Sequence, residues 1–181
     1  MTWLSAVAVA LWAMLPAYVP NNAAVVVGGG RPIDGGRSWG GRRVLGDGKT
    51  WRGTVGGIAA GTALAIALDA LAPGLSDAFG VALPAFPFGA ALALAAGAMG
   101  GDIVASFLKR RLDRERGAPV PGLDQLDFVI GALAVTAIVA PGWFGATFTP
   151  RVLIVVVVVT PLLHVTTNAI AYVLGMKAEP Y

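Results

Sequence analysis

Apolar positions fall into five long runs, at roughly 2–20, 53–72, 88–108, 124–142 and 152–174. Each is close to the ~20 residues an α-helix needs to cross a bilayer core. Pro16, Pro20 and Pro161 lie in these runs and read as kinks or blurred edges. In the second run Gly57 and Gly61 form a small-xxx-small pattern, which lets two helices approach closely. The expected architecture is all-α: one integral membrane domain over 1–181 with about five transmembrane helices, no long repeat and no soluble accessory domain.

Composition agrees, with 56% apolar residues, 13% charged residues and a mean hydropathy of +0.74. These are not values of a soluble protein. The start, Met1-Thr2-Trp3, has no basic stretch before its apolar run, so the first run is expected to remain as a span. Without cysteine there is no thiolate metal site, and any metal falls to oxygen ligands or the single His164. Hard oxygen ligands favour Mg²⁺.

The cations are concentrated between the runs. Loop 28–52 holds Arg31, Arg37, Arg42, Arg43, Lys49 and Arg52; loop 109–123 holds Lys109, Arg110, Arg111, Arg114 and Arg116. The tail adds Lys177, and Arg151 alone lies on the opposite side. The positive-inside rule then predicts cytoplasmic loops and C-terminus, with an external N-terminus. The net charge of +3 is thus a juxtamembrane feature and not a sign of nucleic-acid binding.

Between the runs the polar residues are concentrated enough to suggest chemistry. Asp102, Ser106 and Lys109 are spaced i, i+4 and i+7, so one helix face carries all three, with Arg110 beside it. Asp124 and Asp127, i and i+3, share a face at the start of the next run. Asp124 also suits a helix N-cap, with Asp127 complementing the helix dipole. Asp102 has no such structural explanation, and an ionisable residue bordering a span is a functional candidate. The segment from Gly28 to Gly53 has ten glycines among its 26 residues, interleaved with cations and with Trp39, Val44, Leu45 and Trp51. It reads as a loop that folds over a ligand, its N–H groups and cations meeting phosphate. Gly46 to Thr50 mimics the end of a P-loop, but Arg43 stands where that pattern needs glycine, so a Walker A site is excluded. His164, Thr166, Thr167 and Asn168 form a polar island in the last run, with His164 and Asn168 expected in supporting roles.

In combination these residues resemble the signature of CTP-dependent phosphatidate cytidylyltransferases. The short chain is more specifically similar to the archaeal CDP-archaeol synthases. The matching stretches are Gly101-Asp102, Ser106, Lys109-Arg110, Pro32 to Gly36, Asp47 to Gly53, Asp124-Gln125-Leu126-Asp127-Phe128, His164 to Asn168, Ala171-Tyr172 and Leu174 to Lys177. Leu112 to Glu115 and Val120 to Leu123 depart from the bacterial and eukaryotic pattern in the archaeal direction.

The resemblance implies transfer of a cytidylyl group from CTP to 2,3-bis-O-geranylgeranyl-sn-glycerol 1-phosphate, with release of pyrophosphate. It implies Asp102, Asp124 and Asp127 as Mg²⁺ ligands and, with Lys109 and Arg110, as the catalytic set. Asp34, Gly35, Gly36, Lys49, Thr50, Arg52, Ser106, Arg111, Gln125 and Asn168 are the implied substrate-binding residues. The implied partners are CTP, the isoprenoid lipid phosphate and membrane lipid; self-association as a homodimer is left open. A CDP-alcohol phosphotransferase is disfavoured because its Asp-Gly-x-x-Ala-Arg motif is missing. A small cation transporter would need its charges near the midplane, and a diacyl-lipid cytidylyltransferase differs only in the chains it accepts.

Overall fold

The computed structural model describes residues 1–112 and 123–173, without the side chains of Leu123, Asp124, Asn168 and Ala171. Five long helices form the bundle: α1 (Trp3–Val27), α2 (Trp51–Phe79), α3 (Phe88–Arg111), α4 (Leu123–Val139) and α6 (Pro150–Val173), with a short α5 (Pro141–Thr147). A two-stranded hairpin, β1 (Ser38–Trp39) and β2 (Arg42–Arg43), is the one addition to the expected all-α fold among the described residues. Its Gly40 and Gly41 have φ of +62° and +77°, the left-handed conformation a two-residue hairpin turn requires.

Four helices, α1, α2, α3 and α6, are long and apolar enough to cross a membrane. The fourth run is shorter than expected. Its helix α4 ends at Val139 because Pro141 cannot continue it, and the chain restarts there as α5. At 17 residues, α4 is about 26 Å long, at the lower edge of what spans a bilayer. In contrast α1 runs on past Pro16 and Pro20 to Val27, since packed neighbours re-satisfy a proline-broken ladder.

Small residues fill the interior and large ones face outward. Ala6, Ala13, Ala17, Ala91 and Ala95 are fully buried, whereas Val25, Leu71, Ile138 and Val173 are exposed. That is the distribution expected when lipid surrounds the bundle, because association then depends on close packing and not on hiding apolar area.

Two glycine seams set the geometry. Along α2, a Cβ added at Gly57 would lie 2.6 Å from the Pro20 carbonyl oxygen, and one at Gly61 2.5 Å from that of Pro16. Pro20 has no N–H to bond Pro16 O, and the Gly61 backbone packs closely against that carbonyl. Between α3 and α4, a Cβ at Gly97 would lie 2.5 Å from Gly131 O, and one at Gly101 would collide with the Asp127 backbone carbonyl. That second seam puts Asp102, the residue after Gly101, beside the backbone that carries Asp127.

The opposite end of the bundle is closed by aromatics. Trp12 Nε1 donates to Pro84 O (3.0 Å) and Trp143 Nε1 to Ala85 O (2.7 Å). Phe86 lies between their rings, 6.4 and 5.7 Å away, and its N–H donates to Asp69 Oδ1 (2.7 Å).

Candidate active site

The site is built where α1, α3, α4 and α6 meet the glycine-rich segment, which is itself folded. Asp34 organises it. Its buried carboxylate accepts from the backbone N–H groups of Gly36 (3.1 Å), Leu45 (3.0 Å) and Gly46 (3.0 Å). Arg43 closes the knot, donating through Nη2 to Asp34 Oδ1 (2.7 Å) and through Nε to Oδ2 (3.2 Å), with Nη1 on Asp47. The Arg43 guanidinium, reinforced by those N–H groups, holds the Asp34 carboxyl well below the usual carboxylate range despite its burial. Asp34, and secondarily Asp47, raise the guanidinium in turn.

A depressed carboxyl contributes stability that is fully present above the unfolded value, about pH 4, and lost as pH falls towards the folded value. The knot therefore holds at neutral pH and weakens only in acid. Asp34→Asn should let trypsin cut at Arg37, Arg42 or Arg43 several-fold faster at neutral pH. An unchanged cleavage rate would show that the carboxylate does not hold the loop.

Arg111 fastens this loop to α3. Its Nη1 donates to Trp39 O (2.6 Å) and Nη2 to Arg43 O (3.1 Å), and its guanidinium lies over the Trp39 ring at 5.4 Å and the Phe107 ring at 5.5 Å. Arg110 runs alongside Gly46. Of the three consecutive cations, only Lys109 lines the central cavity.

That cavity has a volume of about 900 Å³, within the range of small-molecule sites. Asp102, Asp127, Lys49, Lys109 and His164 are among the residues that line it. Lys49 Nζ is ion-paired with Asp102 Oδ2, and both side chains are about a fifth exposed, 23% and 19%. Lys49 is held at its backbone: its carbonyl accepts from Ile33 N (2.8 Å), and the next residue, Thr50, caps α2 by accepting from Gly53 N (3.1 Å). Asp127 is buried, with Oδ1 accepting from Phe128 N (2.6 Å) in the first turns of α4.

Thr50 also lines the cavity, while Asp34, Gly35, Gly36, Arg52, Ser106, Arg110, Arg111 and Gln125 do not. Asp34 and Arg111 shape the loop instead, and Gly36 supplies one of the N–H groups that Asp34 uses. The side chains of Asp124 and Asn168 lie outside the described residues, as does the segment with Arg114 and Arg116. Thr167 joins His164 on the wall while bonding its own helix at Leu163 O.

Several polar cavity residues went unread in the sequence, among them Tyr18, Asn21, Asn22, Thr54 and Thr160. Tyr18 and Asn21 line the wall from α1, and Tyr18 Oη lies 2.8 Å from Thr160 Oγ1, tying α1 to α6. Their signal was available, because polar side chains within an apolar run are candidates for a cavity.

Comparison with known proteins gives the same picture over the whole chain. The family model CarS-like: CDP-archaeol synthase matches residues 3–181. A CDP-archaeol synthase of Halobacterium salinarum is 66% identical over 181 residues, covering all of both chains. One from Methanococcoides burtonii is 46% identical over 175 residues, 93% of this chain and all of the relative. A solved structure described as an intramembrane enzyme for archaeal membrane lipids biosynthesis superposes with a TM-score of 0.71 at 42% identity. It covers 88% of this chain and 92% of that one. With sequence, length and fold all shared, the chain belongs to the CDP-archaeol synthase family.

Proposed function

We propose that the cavity at the loop-covered end of the bundle is where CTP and the lipid phosphate react. The protein is a multi-pass membrane enzyme of archaeal lipid biosynthesis, and CTP and an archaeal lipid phosphate are its substrates. The observation that carries the proposal is the meeting of Asp102 and Asp127 with Lys49 and Lys109 on one wall.

The site's donor chemistry fits a Mg²⁺ ion. Among the described residues no three His, Cys, Asp or Glu come together, so the protein does not offer a complete cage. Mg²⁺ does not need one: it is commonly held by one or two carboxylates, the rest of its shell being substrate phosphate and water. Asp102 and Asp127 would hold it, joined by Asp124 from the start of α4. Bound there, the ion supplies charge neutralisation and polarisation of phosphate oxygens.

In the reaction, a phosphate oxygen of 2,3-bis-O-geranylgeranyl-sn-glycerol 1-phosphate forms a bond to the α-phosphorus of CTP. The α,β-anhydride bond breaks, and pyrophosphate leaves. The nucleophile is already anionic, so no strong general base is needed and catalysis rests on position and electrostatics. Lys49 and Lys109 neutralise oxygens of the two substrates. Arg110 and Arg111 act by keeping the loop that bears Lys49 against α3. A transporter is disfavoured because the cavity's carboxylates sit within the last turns of α3 and the first turns of α4, towards one end of their helices.

Incubation of the purified protein with cytidine-labelled CTP, Mg²⁺ and the lipid phosphate should move label into the lipid phase, and excess EDTA should stop it. Label entering lipid at the full rate in EDTA would refute the metal assignment; no transfer at all would refute the reaction.

The loop end is proposed to be cytoplasmic, as the charge asymmetry implies. A cysteine at Arg42 should react with an impermeant reagent from the cytoplasmic side, and one at Ser76 from outside. The chain has no native cysteine to interfere. The reverse pattern would invert the orientation.

A further inference from the structure

The ion pair between Lys49 and Asp102 sets an order of events that the overall reaction does not require. Lys49 comes from the loop and Asp102 from α3, 53 positions apart, and their contact occupies the carboxylate proposed as a metal ligand. Hydrogen bonds fix the Lys49 backbone on both sides, so only its long side chain is free to leave. Among the described residues two lysines, Lys49 and Lys109, and two aspartates, Asp102 and Asp127, line the cavity.

We propose that Lys49 is a built-in placeholder for the divalent cation, which makes the Asp102 carboxylate accept metal only together with the triphosphate. This rests on the reading of Asp102 as a metal ligand. A bare divalent cation arriving at Asp102 would displace the ammonium into a partly desolvated cavity that already holds Lys109 and whose other described carboxylate, Asp127, is itself proposed as a metal ligand. That leaves an uncompensated charge, which is costly away from bulk water. A metal–triphosphate complex brings its own acceptors. Lys49 then exchanges a carboxylate for a phosphate oxygen, and every charge stays paired. Metal and nucleotide should therefore bind with positive coupling, each raising the affinity for the other by the same factor. The loop serves as the carrier of the exchange, because its knot at Asp34 and its clamp at Arg111 keep the Lys49 backbone in place while the side chain swings.

The test uses the full-length protein in detergent and Mn²⁺ as a paramagnetic stand-in for Mg²⁺. Without nucleotide, Lys49→Gln should bind Mn²⁺ about tenfold or more tightly than wild type, within the usual span of coupling between sites. Lys49→Met should match it, Lys49→Arg should resemble wild type, and Lys49→Gln/Asp102→Asn should lose the gain. Calorimetry should then show Mg²⁺ raising the affinity of wild type for CTP several-fold, and doing so far less in Lys49→Gln. Equal affinity of wild type and both neutral variants for Mn²⁺ alone would overturn the proposal, as would failure of the neutral variants to bind it. Because metal binding is read directly, these results stand apart from the labelled-CTP assay, whose failure would instead refute the reaction.

Discussion

Asp102→Asn should reduce cytidylyl transfer by roughly 10²- to 10³-fold, the usual effect of deleting one preorganised electrostatic contact to a reacting centre. The substitution keeps side-chain size and removes the charge that faces Lys49 and the cavity. Stability should change little, since a partly exposed ion pair contributes about 0–1 kcal/mol. The bundle should elute from size-exclusion chromatography as wild type does. Asp127→Asn should have a comparable or milder effect. A rate above about a tenth of wild type for Asp102→Asn would correspond to less than ~1.4 kcal/mol of transition-state stabilisation and would remove this carboxylate from the reacting centre.

The second large effect concerns two adjacent glycines. Gly101→Ala should destabilise the protein by about 1–3 kcal/mol, because its new methyl group meets the Asp127 backbone, which cannot turn aside as a side chain would. Helices α3 and α4 must then separate, and the carboxylates of Asp102 and Asp127 move apart with them. Activity should fall more than stability alone explains. Gly100→Ala is the control, since nothing lies within 4 Å of its added Cβ. Thermal unfolding in detergent and the transfer assay should separate the two variants clearly. Similar behaviour of the two would mean that the seam does not set the carboxylate spacing.

Much of this was legible in the sequence. Five runs became five long helices, because a length of apolar chain in lipid has few ways to satisfy its backbone other than as a helix. Asp102, Lys109 and Asp127 could be placed together because helical spacing and an interrupted apolar run both act locally. The hairpin was missed: a cationic, glycine-rich stretch looks like an open loop until Asp34 is seen to gather three backbone N–H groups and Arg43. Arg110 and Arg111 lie against the loop and not on the cavity wall for a related reason. Adjacent residues on a helix point about 100° apart, so three successive cations cannot all face one ligand. Sequence also gave no depth to α1, where Tyr18 and Asn21 reach the cavity only because Pro16 and Pro20 do not end the helix.

The aromatic closure around Trp12, Phe86 and Trp143 has a consequence for the membrane as a whole. With that end packed by rings and by hydrogen bonds to Pro84 and Ala85, a lipid headgroup reacting in the proposed site would enter and leave at the cavity end. Every activated lipid would then be released into the leaflet from which its precursor came. A charged headgroup does not readily cross hydrocarbon unaided, so new phospholipid would accumulate on one side, and growth of the opposite monolayer would depend on a separate translocation step.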